Sequence, residues 1–196
     1  MKRKAKSFIV ENYKQSFNYI LESKKYIYSV VILFFVFTLI GFFVPVPAAI
    51  SEMIIEFIRE MLEKTQGMGI LELIVFIFLN NLKVSILGII LGILFGVVPI
   101  VLSISNGYLL GFVASIAAKS EGILTLWRIF PHGVFELPAI FISLAIGLRL
   151  GFYVFFEKKD SLYNNLIDII RVFVLILIPL LIVAALIEGF LIFLSR

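Results

Sequence analysis

Between Tyr26 and Val44 the chain carries no Asp, Glu, Lys or Arg. Comparable apolar runs recur at about Val84 to Ser103, through the stretch that ends near Leu150, and from about Val172 to Phe193. At about 1.5 Å per helical residue each run can cross a hydrocarbon core of roughly 30 Å. None alternates apolar with polar residues, so each reads as a helix and not as a barrel strand. The composition agrees: 62% hydrophobic and 15% charged residues with a mean hydropathy of +1.14 are too apolar for a soluble domain of 196 residues. The fold class expected is all-α, a polytopic integral membrane bundle of about five transmembrane helices with amphipathic and re-entrant pieces.

In such a chain the location of charge says more than the net +4. Residues 1–25 hold Lys2, Arg3, Lys4, Lys6, Lys14, Lys24 and Lys25 against Glu11 and Glu22. By the positive-inside rule this segment stays cytoplasmic, and residues 26–196 form a single transmembrane domain. Ile9, Tyr13, Phe17, Ile20 and Leu21 recur at three and four, as in a helix lying on the inner leaflet. The basic residues read as a membrane anchor, and nucleic acid is not an expected partner. Cysteine is absent and His132 is the single histidine, so no metal site and no cofactor are expected.

The first crossing, Tyr26 to Val44, stops at Pro45 and Pro47. Val46-Pro47-Ala48 could pass as a cleavage site, but the apolar core is longer than that of a signal peptide. Residues 51–65 place Ile54, Phe57, Ile58, Met61 and Leu62 opposite Glu52, Glu56, Arg59, Glu60 and Lys64. That pattern predicts an extracytoplasmic amphipathic helix, capped by Ser51 and ended by Gly67. It either lies flat, docks a membrane or extracytoplasmic protein, or forms a lid over the bundle. Gly69 to Leu79 is too short to span and reads as a re-entrant piece ending at Asn80-Asn81. A second crossing follows from Val84 to Ser103, with Gly88, Gly92 and Gly96 as a close-packing ridge and Pro99 as a kink. A cytoplasmic turn is expected at Ser103 to Gly107, then a third segment from Tyr108 to Ala118. The fourth crossing carries a second small-residue ridge at Ala139, Ser143, Gly147 and Gly151. It ends at Arg149, an inner-face anchor that complements the helix C-terminus. Lys158, Lys159 and Arg171 return the chain to the cytoplasm. The fifth crossing contains Pro179 and Glu188 and leaves the C-terminus extracytoplasmic.

Polar chemistry concentrates at the start of the fourth crossing, in Trp127-Arg128-Ile-Phe-Pro131-His132-Gly133-Val-Phe-Glu136-Leu-Pro138-Ala139. Pro131 suits a first helical turn, whereas Pro138 removes an interior hydrogen bond and predicts a broken helix. His132 and Glu136 lie four apart on one face. With Arg128, Asn80, Asn81, Asn106 and Glu188 they could form a buried polar clasp or a ligand site, because unpaired polar groups in lipid cost several kcal/mol.

Asn80-Asn81, Asn106-Gly107-Tyr-Leu-Leu-Gly111, Pro131-His-Gly-Val-Phe-Glu-Leu-Pro-Ala139 and Gly147-Leu-Arg-Leu-Gly151 together resemble the stage II sporulation protein M family, over about residues 78–151. The resemblance implies a multi-pass membrane protein, of a family whose namesake acts as a platform beside cell-wall-degrading proteins in septum thinning and engulfment. It marks Asn81, Asn106, Gly107, Gly111, Pro131, His132, Gly133, Glu136, Pro138, Gly147, Arg149 and Gly151.

Three functions fit. A non-enzymatic membrane scaffold would use the small-residue ridges, among them Gly107/Gly111/Ser115, for packing within the chain or against a second copy, and 51–65 for docking. A transporter, channel or lipid-translocating protein would use the ionisable Glu136 and Glu188, with His132 and Arg128 at one mouth. An intramembrane hydrolase would need His132 as base and Glu136 to orient it, yet no catalytic string accompanies them and no residue is assigned as catalytic.

Overall fold

A computed structural model describes residues 2–128, 130–156 and 162–194, the side chains of 2–7, 127, 128, 130–132 and 135 excepted. The described residues form α1 (Lys2–Glu22), α2 (Lys24–Phe43), α3 (Ala48–Thr65), α4 (Ile70–Ile90), α5 (Val97–Glu121), α6 (Phe130–Phe156), α7 (Leu162–Val172) and α8 (Ile178–Leu194). Five stretches are long and apolar enough to span a membrane: 24–43, 70–93, 97–121, 136–156 and 162–194. The chain is an all-α membrane bundle.

The spans fall differently from the sequence expectation in its middle. α4 runs straight through Asn80-Asn81, so residues 69–79 are the first half of a full crossing and not a re-entrant piece. The chain turns at Leu91 to Gly96 instead of at Ser103 to Gly107. A short 3-10 turn, Leu91–Ile93, leads to Phe95 at φ 53° and Gly96 at φ 70°. Left-handed backbone at Gly96 supplies the reversal that the polar string was expected to make. Pro99 then lies in the first turn of α5, where no hydrogen bond is lost and no kink results. Farther along α5, the Asn106 amide donates to the Leu102 carbonyl at 2.7 Å and the Ser103 hydroxyl to the Val30 carbonyl at 2.9 Å. Helix backbones satisfy these polar groups, and the helix continues.

α6 continues through Pro138, so the expected helix break does not occur. α3 begins at Ala48 after Pro47, which places Ser51 inside the helix and not at its cap; Gly67, at φ 82°, follows its end. On α1 the residues turned inward are Ser16, Tyr19 and, just beyond it, Ser23, whereas Ile9, Phe17 and Leu21 face outward. α7 and α8 join without a break through a π turn, Phe173–Leu177. Pro179 has no N–H for a regular ladder, and a wider turn just before it accommodates that loss.

α6 is the central span, with 67% of its crossing stretch buried. Ala139, Leu144, Ile146 and Leu150 share a core with α4, α7 and α8 or with α2. α2 and α5 run parallel, matching Val30 with Ser103, Phe34 with Gly107 and Thr38 with Gly111. α4 and α6 are also parallel, matching Gly88 with Gly147 and Gly92 with Gly151. Both seams bring backbone against backbone. A Cβ on Gly111 would lie 2.0 Å from the Thr38 oxygen, and one on Gly92 would lie 2.1 Å from the Gly147 oxygen. Gly96 belongs to the turn and not to a helical ridge, but it too meets α6, at Leu148.

Candidate functional site

Near the α3 end of the bundle, the carboxyl groups of Glu136 on α6 and Glu188 on α8 come close enough to interact. Both side chains are half-buried. Asn81 is buried on the inner face of α4, while its neighbour Asn80 is exposed on the outer face and takes no part in a clasp. Asn106 is committed to Leu102 within its own helix. The side chains of Arg128, Pro131 and His132 lie outside the described residues, as do Lys158 and Lys159. Among the described residues, a Cβ added at Gly133 would meet only the Leu137 side chain, at 3.3 Å, which would have to give slightly. Of the polar residues singled out in the sequence, Glu136 and Glu188 are the pair seen in contact.

A second polar cluster closes the opposite end of the bundle. Arg149, near the end of α6, donates to the Tyr19 carbonyl at 3.1 Å, to the Ser23 hydroxyl at 2.8 Å and to the Glu22 carboxylate at 3.0 Å. Its guanidinium also sits 4.1 Å from the centre of the Tyr19 ring. The Tyr19 carbonyl, near the end of α1, also accepts from the Ser23 N–H at 3.1 Å and the Ser23 hydroxyl at 2.7 Å, so Arg149 ties α6 to the corner between α1 and α2. It is 18% exposed and does not reach out towards solvent as a snorkelling residue would. The Tyr19 hydroxyl donates to the Asn165 amide oxygen on α7 at 2.8 Å. Burial raises the Tyr19 phenol above its ordinary range, the Arg149 guanidinium opposes the rise, and Asp168 and Glu22 add to it. Arg171 completes the layer, bonding to Asp168 and, at 2.7 Å, to Asn12 on α1. A cavity of about 420 Å³, lined in part by Asn18, Tyr19, Glu22, Asp168 and Arg171, opens beside it.

Apart from the charges of Arg149 and Arg171, this layer escaped the sequence reading. Its signal was the spacing Ser16, Tyr19, Ser23, a small and polar stripe at three and four that marks the protein-facing side of α1. The louder apolar stripe on the same segment belongs to the outward face.

Residues 30–191 match the family described as stage II sporulation protein M. Over 120 residues, covering 58% of the chain and 67% of the relative, it is 33% identical to an uncharacterised protein of Methanocaldococcus jannaschii. No solved structure matches it. With the match taking in α3 to α7 whole and most of α2 and α8, the chain belongs to the stage II sporulation protein M family.

Proposed function

We propose that this protein is a non-enzymatic scaffold of the cell membrane that recruits another protein through α3. The observation that carries the reading is that α3 is an 18-residue amphipathic helix with no buried residue. Met53, Phe57 and Leu62 are 70%, 51% and 64% exposed. A lid would bury that face against the bundle, whereas these three side chains are exposed and Ile54, Ile58 and Met61 are only half-buried. Backbone-on-backbone seams between the spans suit a rigid frame that presents such a helix. The orientation follows from charge: Lys14, Lys24, Lys25, Arg149 and Arg171 gather at the α1 end, and Glu52, Glu56, Glu60 and Glu63 lie on α3. The α1 end is then cytoplasmic, and α3 and the end of α8 are extracytoplasmic.

A photo-crosslinking residue placed at Met53 or Phe57 in the native membrane tests this. A protein adduct of discrete mass at both sites is expected. Adducts to lipid alone would mean that α3 only rests on the bilayer, and the scaffold reading would fall.

The Glu136–Glu188 contact favours a second reading, proton- or cation-coupled passage through the bundle. Flux in proteoliposomes that is lost on Glu136→Gln and on Glu188→Gln, with folding intact, would favour it over the scaffold.

A further inference from the structure

Lys83 stands about 20 Å from Ile70 and about 15 Å from Ile93 along the span that these residues bound, at about 1.5 Å per residue. It is exposed on the outer face of α4, opposite the buried side formed by Ile77, Asn81, Ser85 and Gly88. Asn80, also exposed, precedes it by one helical turn on the same face. Around the two polar residues that face is apolar, with Val75, Leu79, Leu87 and Ile90 exposed. Among the described residues no carboxylate and no hydrogen-bond acceptor meets Lys83.

An ammonium group facing hydrocarbon is costly, and lysines inside spans normally face a partner or a polar interior. Snorkelling does not relieve this one. A lysine reaches roughly 6 Å, less than the distance to either edge of a hydrocarbon core of roughly 30 Å. The Cα–Cβ bond also leans towards the helix N-terminus, away from the nearer edge. A second copy of the chain fits poorly, because a two-fold contact on this face would set Lys83 against Lys83. The carboxyls that the spans do contain at the α6/α8 contact, Glu136 and Glu188, are engaged with each other.

We infer that the Lys83/Asn80 face of α4 docks a transmembrane helix of another protein that carries an Asp or Glu at mid-bilayer depth. The ammonium pairs with the carboxylate, the Asn80 amide can donate to its second oxygen, and the apolar residues around them pack against the flanking turns. In a medium with no competing water such a pair fixes both depth and rotation of the incoming helix. This extends the scaffold reading to a second surface. Its test does not involve α3, so either can fail alone.

The test uses the full-length protein in phosphatidylcholine vesicles with a synthetic leucine-rich transmembrane peptide bearing one central Glu, and its Leu and Lys counterparts. Association is read by energy transfer between labels on protein and peptide. The Glu peptide should bind about 10-fold more tightly than the Leu peptide. Lys83→Met should remove that preference, and Lys83→Glu should transfer it to the Lys peptide, a gain that a misfolded variant would not show. Equal binding of the Glu and Leu peptides, or a preference that survives Lys83→Met, would overturn the inference. So would Lys83-dependent self-association in vesicles without peptide, which would make a second copy the occupant. Full displacement of the peptide by added anionic lipid would overturn it in favour of a headgroup.

Discussion

The middle of the bundle and its α1 end are held together by opposite means. In the middle, α2 meets α5 and α4 meets α6 where side chains are missing, at Gly107 and Gly111 and at Gly88 and Gly147. At the α1 end, α1, α6 and α7 meet where side chains reach, through Arg149, Tyr19, Asn165 and Arg171. Lipid surrounds the first region, and lipid tails are as apolar as leucine, so burying more leucine there gains nothing and close approach supplies the attraction. Water borders the second, where each hydrogen bond replaces one to solvent and contributes about 1 kcal/mol net. The middle should therefore be intolerant of one added carbon, and the end tolerant of one lost bond.

The sharpest break of that contrast is Gly107→Val or Gly111→Val. Each puts branched carbon into a backbone contact that already excludes a Cβ, at a cost of about 3 kcal/mol or more. Loss of monodisperse protein in mild detergent is expected. Gly133→Ala is the control, for among the described residues the added methyl meets only the flexible Leu137 side chain and replaces a helix-interior glycine, so stability should hold or rise by up to about 1 kcal/mol. If Gly133→Ala unfolds the protein as readily, the backbone seams are not what distinguishes the middle.

A smaller effect is expected from Arg149→Gln. It removes the bonds from α6 to the Tyr19 carbonyl, the Ser23 hydroxyl and Glu22, at a cost of about 1 to 3 kcal/mol. Amide exchange should quicken over residues 12–23 while α2 and α5 keep their protection. Equal loosening of α5 would show that the two regions unfold as one unit.

The smallest effect carries a pH signature. The phenol of Tyr19 is held above its ordinary value of 10.0, so its contribution is fully present below about pH 10 and declines as pH rises beyond that. Tyr19→Phe, which loses the bond to Asn165, should cost about 1 kcal/mol at neutral pH and flatten the alkaline fall. Thermal unfolding in detergent between neutral pH and pH 11 measures both.

Hydropathy made the bundle legible, because a run such as Tyr26 to Val44 has no alternative in water. It failed where polar residues sit inside a span. Asn80-Asn81 and Ser103 to Gly107 look like punctuation in one dimension, yet a helix can absorb serine and asparagine by bonding them to carbonyls, as Ser103 and Asn106 do. The real reversal, at Leu91 to Gly96, is written in glycines that also read as packing residues, and the two meanings cannot be separated without the neighbouring helix. The meeting of Glu136 with Glu188 depends on how α6 lies against α8, a relation between distant segments that no local spacing encodes.

One consequence of the widened turn at Phe173–Leu177 concerns the two jobs of a single rod. From Leu162 to Leu194 the chain is one helical column of 33 residues, roughly 50 Å, far more than the hydrocarbon needs. Its inward residues run Asn165, Ile169, Val172 and then, after a step of five, Leu177, Leu181 and Ala184. A regular helix would send those two stripes about 100° apart. The extra residue swings them back into line, so that one column can hold α1 with its first part and brace the other spans with its second.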